Sequence, residues 1–423
     1  MSPDEALARI RRYDGRLKAF VQVFDPALGE GDGLAFAIKD LFDVQGVPTG
    51  GGAQVPLAAD PAAHAVVVQK LLDAGWRGVG KTHTVELAYG GWGTNRAVGA
   101  PWNPWDANTH RAPGGSSSGS AVAVAAGLVD AALGSDTGGS VRIPASTCGV
   151  VGLKPGRGLV SLKGVHPLAP SLDTVGALAR DVATAARMLG VISGPDGATA
   201  TRGPFDAEAA LTGEVEGRRL AAIPLEHLGE LDSDVGRLYL TALDRLRKSG
   251  VTVQMVRPHR ALEESFAPNG LLMAGEGWRI WRERIETHGK AMDPWIVKRF
   301  EVGRDITDDR LADAHAQRAE DQKQFHAWLA AYDGLVTPTC PITGPPMDQV
   351  DETISPLSRL TRAANYLDLP GMSLPCGLTS EGMPAGLQIV GRPRDEATVV
   401  ALGAAFENLS GWNGRTPDLE GFG

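Results

Sequence analysis

The sequence predicts an α/β fold with a large central sheet, mixed and mostly parallel, covered by helices on both faces. Segments with strand character alternate along the chain with helical segments, and strand–helix–strand connections favour a parallel or mixed sheet. Hydrophobic residues make up 43% of the 423 residues, which is enough for a large core. Because strand-like segments on both sides of the polar stretch 192–217 are needed for one sheet, we treat residues 1–423 as a single domain.

The N-terminal elements follow from local patterns. Residues 1–20 predict an amphipathic helix with Ser2 as its cap. Residues 34–42 predict a buried strand, and the apolar spacing of 64–76 predicts a helix that stops at Gly75. Further predicted elements are a closely packed helix of small residues over 120–126, a strand over 128–136, and a helix start near Pro144.

The second half of the chain repeats the alternation. Residues 192–217 are polar and show no helical or strand periodicity, which predicts a surface loop. Residues 261–330 predict a charged, variable helical segment. The other predicted elements are strand 218–224, helix 233–250, and strands 251–256, 332–341, 372–378 and 386–391.

Composition and charge exclude several function classes. The net charge of −9 lacks the basic excess of a nucleic-acid surface, and no run of 18 uncharged apolar residues predicts a membrane span. The N-terminus lacks the pattern of a secretory signal. The three cysteines are far apart and form neither a disulfide framework nor a zinc motif, which fits a cytoplasmic protein. We expect no metal, no cofactor, no nucleic acid and no membrane partner.

A serine-rich loop over 114–120, GGSSSGS, carries the first candidate chemistry. Its G-x-S-x-G pattern places Ser117 as a nucleophile elbow, but a polar loop precedes it where that motif needs a strand. The loop also fits an anion-binding nest, although the lysine of a P-loop is missing, or a flexible connector. These three interpretations remain open from the residues alone.

A second loop over 134–146, GSDTGGSVRIPAS, carries another candidate site. Its D-T-G is typical of aspartic proteases, but these need two such loops and no second one occurs. The turn places Ser140 between a strand end and a helix start. The backbone N–H groups of Thr137, Gly138, Gly139 and Ser140 could converge on one oxygen, as an oxyanion hole requires.

A serine nucleophile needs a base, and no histidine adjoins either loop. Lys39 lies inside an otherwise apolar strand, where burial can lower its pKa toward neutrality. A lysine in such a strand more often extends to solvent or forms a salt bridge than acts as a base. The residues therefore leave a Ser–Lys pair as one of two interpretations.

Together, AIKDLFDVQGVPTG, GKTHTVELAYG, RAPGGSSSGSAVAVAAG and ALGSDTGGSVRIPASTCGVVGLKP resemble the amidase signature family. The similarity covers nearly the whole chain and is strongest over 34–182. It implies a Ser–cis-Ser–Lys triad with Ser140 as nucleophile, Ser116 as the middle serine after a cis peptide bond, and Lys39 as base. It further implies an oxyanion hole in the turn 137–140, a structural pair of Asp136 and Arg142, and an accessory role for Ser117 near Lys39.

The resemblance implies an enzyme that hydrolyses a small-molecule carboxylic amide to an acid plus ammonia or an amine through an acyl-enzyme on Ser140. Carbamate, ureido or ester hydrolysis by the same mechanism is the alternative. An amidotransferase A subunit that releases ammonia from glutamine is a further option, against which we take the short chain to argue. A homodimer stays open. We expect the substrate pocket to include Glu86, Tyr89, Trp92, Met273 and Trp278.

Overall fold

The computed structural model describes residues 1–257, 262–412 and 414–423. Within them, eleven strands form one sheet. The strands are β1 Phe20–Leu28, β2 Ala35–Lys39, β3 Arg77–Thr82, β4 Ala131–Asp136, β5 Val151–Lys154, β6 Thr174–Ala179, β7 Arg219–Ala222, β8 Thr252–Met255, β9 Gly334–Pro338, β10 Gly371–Leu378 and β11 Pro384–Gly391. Their order across the sheet is β1-β3-β2-β4-β6-β5-β10-β11-β9-β7-β8.

Twelve α-helices connect these strands in the described part of the chain. They are α1 Pro3–Leu17, α2 Val66–Asp73, α3 Ser118–Ala125, α4 Arg142–Cys148, α5 Val182–Ile192, α6 Ala207–Leu211, α7 Ser233–Lys248, α8 Phe266–His288, α9 Pro294–Glu301, α10 Asp308–Leu329, α11 Arg362–Tyr366 and α12 Glu396–Ser410. The predicted cap holds, since Ser2 accepts from the Glu5 amide in a capping box.

Helices cover both faces of the sheet, as predicted. Alternate residues of a strand point to opposite faces. Phe36 and Ile38 of β2 lie in the large core cluster that also contains the apolar sides of α2 and α5. Ala35 and Ala37, which alternate with them, lie in a second cluster with α1 and α3.

The predicted mixed sheet is confirmed, but parallel pairs are not in the majority. Between the described strands, β2 pairs in parallel with β3 and β4, and β7 with β8 and β9. The six remaining pairings are antiparallel. The sequence pattern missed β1, β5 and β6, and these strands supply four of those antiparallel pairings.

Two further differences from the predicted elements are local. The stretch 77–82, for which the sequence pattern predicted no element, forms β3, the strand next to β2. The predicted loop 192–217 contains the short helix α6, whose Ala207 and Ala210 are buried. The predicted helical segment over 261–330 contains α8, α9 and α10, while residue 261 itself lies outside the described residues.

Candidate active site

The predicted site residues meet at one edge of the sheet. Lys39 is the last residue of β2, and Asp136 is the last residue of β4. Because these strands are parallel neighbours, their carboxyl ends lie side by side. Strand β6 runs antiparallel to β4 with Thr174 opposite Asp136, so Asp173 reaches the same edge from the other direction.

Lys39 is completely buried, and its amine contacts hydroxyl groups. Its Nζ donates to Ser116 Oγ and to Ser135 Oγ, each at 2.8 Å. Burial lowers the pKa of Lys39 to about 7, against the opposing effects of the Asp136 and Asp173 charges. A lysine with this pKa is substantially neutral at physiological pH and can accept a proton.

The serine loop lies against Lys39 through Ser116. The Gly115–Ser116 peptide bond is cis, as the resemblance implied. The carbonyl of Ser116 accepts hydrogen bonds from the Val85 amide at 3.2 Å and from the Thr84 hydroxyl at 3.0 Å. These bonds hold the backbone next to the hydroxyl that meets Lys39.

Ser117 connects the serine loop over 114–120 with the loop over 134–146 through two hydrogen bonds. Its amide donates to the carbonyl of Ser140 at 3.2 Å, and its hydroxyl donates to the carbonyl of Ser135 at 3.3 Å. Ser117 therefore supports Ser135, whose own hydroxyl is the second partner of the Lys39 amine. The elbow interpretation of Ser117 finds no support, because α3 follows a loop and not a strand.

The turn before α4 is held by the fully buried pair of Asp136 and Arg142. Arg142 Nη2 lies 3.0 Å from Asp136 Oδ1, and Nε lies 3.1 Å from Oδ2. Burial opposes ionisation of Asp136, but the Arg142 guanidinium holds the pKa of that carboxyl well below its usual range. A buried pair with this many hydrogen bonds fixes the turn rigidly.

One predicted oxyanion donor needs correction. The Gly139 amide donates to Asp136 Oδ1 at 2.7 Å, so this N–H is already engaged. The amides of Thr137, Gly138 and Ser140 have no acceptor among the described residues. Gly139 instead has a packing role: its φ is +128°, and a Cβ there would overlap the Thr361 hydroxyl.

Residues more than 200 positions away complete the turn, and the sequence pattern missed them. Thr361 Oγ1 donates to the carbonyl of Gly138 at 2.7 Å. Arg142 donates to Asn365 Oδ1 at 2.7 Å and to Gln388 Oε1 at 2.6 Å. Only the sheet order, which places β10 beside β5 and β11 beside β10, could have indicated these contacts.

Asp173 supports the turn from β6. The Thr137 hydroxyl donates to Asp173 Oδ1 at 2.5 Å, and the amides of Leu168 and Ala169 donate to Oδ2 at 3.0 and 3.1 Å. Burial raises the pKa of Asp173 to about 7. The carboxyl group therefore lies beside the first residue of the turn and within the electrostatic range of Lys39.

Ser140 opens onto a cavity of about 340 Å³. Thr137, Gly138 and Ser140 form one part of its wall. The rest of the wall comes from the loops around Tyr89 and Glu352 and from helices α8, α9 and α11. The lining side chains that matter below are Tyr89, Met273, Lys298, Arg299, Glu352, Ser358 and Arg362.

Of the five predicted pocket residues, Tyr89 and Met273 line this cavity. Trp92 packs behind the wall, where its indole N–H donates to the carbonyls of Asp351 and Ile354. Trp278 is covered by the Arg304 guanidinium. Both rings therefore serve the packing of the wall, which corrects their predicted place in the pocket.

Glu86 also lies outside the cavity lining. It is fully buried, and its Oε2 accepts from the Asp293 amide at 2.6 Å. Burial raises the pKa of Glu86 to about 7. Its contact with the start of α9 gives it a structural position behind Tyr89.

The described residues contain no group of three or more His, Cys, Asp or Glu side chains that could hold a metal ion. None of their helices is both long enough and apolar enough to cross a membrane.

The chain belongs to the amidase family, since the model of the family described as Amidase matches residues 1–400. The protein is therefore assigned to a family of enzymes.

Individual relatives include amidotransferase subunits and an amidase. The chain is 37% identical to the A subunit of Glutamyl-tRNA(Gln) amidotransferase from Chloroflexus aggregans, over 99% of this chain and 90% of the relative. The structure of the same subunit from Thermotoga maritima matches with a TM-score of 0.87 and 31% identity, over 99% and 94% of the two chains. The native peptide amidase of Stenotrophomonas maltophilia matches with a TM-score of 0.83 and 27% identity, over 98% and 94%.

The Chloroflexus relative corrects one expectation. Because the chain spans 90% of that protein, its length is no argument against an amidotransferase subunit. The solved neighbours include a peptide amidase as well as an amidotransferase component, so the overall fold is common to both kinds of protein.

Proposed function

We propose that this protein hydrolyses a small-molecule carboxylic amide through an acyl-enzyme on Ser140. The observation that carries the proposal is the buried Lys39 amine, 2.8 Å from the Ser116 hydroxyl, together with the cavity onto which Ser140 opens. Lys39 serves as base, Ser116 as proton relay and Ser140 as nucleophile. A histidine is not needed, because burial already makes the lysine a proton acceptor near pH 7.

The first half of the reaction forms the acyl-enzyme. Ser140 Oγ bonds to the amide carbon while its proton passes to Ser116 and the proton of Ser116 passes to Lys39. The carbonyl electrons move to the oxygen, which the amides of Thr137, Gly138 and Ser140 stabilise. When this oxyanion collapses, the C–N bond breaks, and the leaving nitrogen takes the proton that Lys39 accepted.

The second half regenerates the enzyme. Water attacks the ester carbon, and the same relay carries one water proton to Lys39. The C–Oγ bond then breaks, Ser140 recovers a proton through Ser116, and the carboxylic acid leaves. The Asp136–Arg142 pair supports both halves by holding the turn in shape.

The first experiment combines a chemical label with a substrate screen. A fluorophosphonate should modify Ser140, located by mass spectrometry, and the Ser140→Ala variant should remain unlabelled with an unchanged circular dichroism spectrum. A screen for released ammonia or amine over aliphatic, aromatic and dicarboxylic amides should give turnover that Ser140→Ala loses. Labelling at another serine, or turnover retained by the variant, would refute the proposal.

Carbamates, ureido compounds and esters undergo the same acyl transfer, so they define an alternative within this mechanism. The comparison of kcat/KM among amide, carbamate and ester substrates of equal acyl size separates them. A carbamate preferred by more than about tenfold would replace the amide as the natural class.

The amidotransferase relatives favour a second candidate, release of ammonia from glutamine within a complex. A protein with that role would act on glutamine and would work together with partner subunits. Glutaminase activity that appears only in a complex with co-purified partners would favour this candidate. Efficient hydrolysis of a non-amino-acid amide by the isolated chain would favour the first one.

A further inference from the structure

The charges on the cavity wall are unevenly matched. Among the described lining residues, three are cationic, Lys298, Arg299 and Arg362, and one is acidic, Glu352. The Lys298 amine lies 4.3 Å from the centre of the Trp295 ring, whose face attracts the ammonium charge. The other two cations have partners of different kinds.

Arg299 and Glu352 neutralise each other. Arg299 Nη2 lies 2.7 Å from Glu352 Oε2, while the hydroxyl of Thr94 donates to Oε1. Nη1 of Arg299 donates to the carbonyl of Tyr89 at 2.9 Å. Both carboxylate oxygens and both terminal nitrogens are therefore engaged within the wall. This pair offers a substrate neither a free cation nor a free carboxylate.

Arg362 is in a different position, since no carboxylate pairs with it among the described residues. Its Nε donates to the Ser358 hydroxyl at 3.1 Å and its Nη1 to the carbonyl of Phe266 at 3.2 Å. The guanidinium also lies 3.7 Å from the centre of the Phe266 ring. All these partners are neutral, and Nη2 donates to none of the described residues. Burial lowers the pKa of Arg362 to about 10, so it stays charged at neutral pH.

Arg362 is also close to the reacting centre. A Cβ built on Gly138 would lie 3.4 Å from Arg362 Cγ and 3.8 Å from its Nε. Gly138 is one of the three turn residues whose amide is available to an oxyanion. A substrate held at Ser140 therefore has the guanidinium within reach of a short chain.

We propose that the substrate is an amide carrying a carboxylate that pairs with Arg362, and carrying no ammonium group beside it. A guanidinium with only neutral partners gains a charge-assisted, two-pronged contact when a carboxylate arrives. An ammonium group would be desolvated without a counter-ion, because Glu352 is already engaged by Arg299. This inference rests on the proposed function, because it takes Ser140 to be the reacting serine.

Three amides of matched chain length test the proposal. Pentanamide is neutral, and the monoamide of glutaric acid carries a carboxylate. Glutamine carries both a carboxylate and an ammonium group. We expect kcat/KM for the monoamide to exceed that for pentanamide by about 100-fold or more. We expect it to exceed that for glutamine by about tenfold or more. A preference for pentanamide or for glutamine would overturn the proposal.

Arg362→Gln and Arg304→Gln form the matched pair of variants. Each removes one positive charge, but Arg304 is exposed and pairs with Glu301 outside the cavity. Arg362→Gln should bring the kcat/KM ratio of the monoamide to pentanamide down toward one, and Arg304→Gln should leave that ratio unchanged. Equal preference in Arg362→Gln and in the unchanged protein would overturn the assignment to Arg362.

A binding measurement separates this inference from the proposed function. Calorimetry on the Ser140→Ala protein measures the affinity for the glutaric monoamide and for pentanamide without turnover. The monoamide should bind at least about tenfold more tightly, and the additional change Arg362→Gln should remove that difference. Equal affinities would overturn the inference while fluorophosphonate labelling of Ser140 still supports the proposed function. Failure of the labelling would instead refute the proposed function itself.

Discussion

Lys39 and Lys81 lie on neighbouring strands and are both fully buried, but their surroundings differ. Lys81 Nζ lies 2.7 Å from the carboxylate of Asp40, with Pro48 and Thr49 oxygens completing its contacts. Lys39 has two serine hydroxyls and no carboxylate within ion-pair distance among the described residues. Asp40 follows Lys39 directly in the sequence, yet it pairs with the lysine of the next strand.

The comparison shows that burial alone does not make a lysine a base. Burial lowers the pKa of both amines, but the Asp40 charge opposes that change at Lys81 directly. In the region around Lys81, the Asp40 carboxylate compensates the charge of the Lys81 amine, and the lysine stabilises the fold. In the region around Lys39 the neutral form is favoured, and the lysine is available for proton transfer.

The largest expected effect is a loss of activity that we expect when Lys39 is replaced but not when Lys81 is replaced. Lys39→Met should lower kcat by about 10⁴-fold, because the relay loses its base. Its stability should equal or exceed that of the unchanged protein, since burying a methionine avoids the desolvation of an amine. Steady-state kinetics and thermal unfolding measure the two quantities. A near-normal kcat in Lys39→Met would contradict the distinction between Lys39 as a base and Lys81 as a structural residue.

The second prediction tests the relay within the serine loop. Ser116→Ala should lower kcat by about 10³-fold, because the proposed proton relay to Lys39 loses the hydroxyl that contacts the Lys39 amine. Ser118→Ala is the control, since the buried Ser118 hydroxyl has no hydrogen-bond partner among the described residues. It should change kcat by less than about threefold and leave stability nearly constant. Similar losses in both variants would contradict a specific role for Ser116.

The third prediction concerns the region of Lys81. Lys81→Met leaves the Asp40 carboxylate buried and unpaired, and should lower the free energy of unfolding by about 3–5 kcal/mol. The kcat of the folded fraction should change little. Adding Asp40→Leu should restore much of the lost stability, because no buried charge then remains. Denaturant unfolding of both variants checks this, and a double variant less stable than Lys81→Met would contradict it.

The residues around Lys39 could be predicted because they lie in a long, specific pattern over 34–182. Ser135 escaped prediction because its contact with Lys39 depends on the register of β2 beside β4. Arg362 and Thr361 escaped it for a stronger reason, since no local spacing relates them to a turn more than 200 residues earlier. Antiparallel pairing was underestimated because the short strand β5 lacks the length that distinguishes a strand from a loop.

The fourth prediction follows from the pKa of Lys39. Its pKa is lowered from 10.5 to about 7, so the base is neutral above pH 7 and protonated below it. Accordingly, log kcat/KM should rise with pH with a slope of about one below pH 7 and level off above it. A pH–rate profile on an amide substrate measures this limb. Activity independent of pH between about 5 and 8 would contradict a titrating base.

The smallest expected effect is a shift, in Asp173→Asn, of the rising limb of the pH profile of kcat/KM. The Asp173 charge raises the pKa of Lys39, so its removal should move the limb toward lower pH by up to about one unit. The shift is bounded because burial raises the pKa of Asp173 itself to about 7, which leaves it only partly charged there. Asparagine keeps an oxygen for the Thr137 hydroxyl, but its amide nitrogen cannot accept from the Leu168 and Ala169 amides as Asp173 Oδ2 does.

The direction of the shift distinguishes an electrostatic role for Asp173 from a structural one. A loosened turn would lower kcat/KM at every pH and leave the limb in place. An electrostatic effect on Lys39 moves the limb and leaves the plateau nearly unchanged. Asp181→Asn is the control, since Asp181 caps α5 and does not act on the Lys39 charge. A limb that moves toward higher pH in Asp173→Asn would contradict the placement of this charge beside the base.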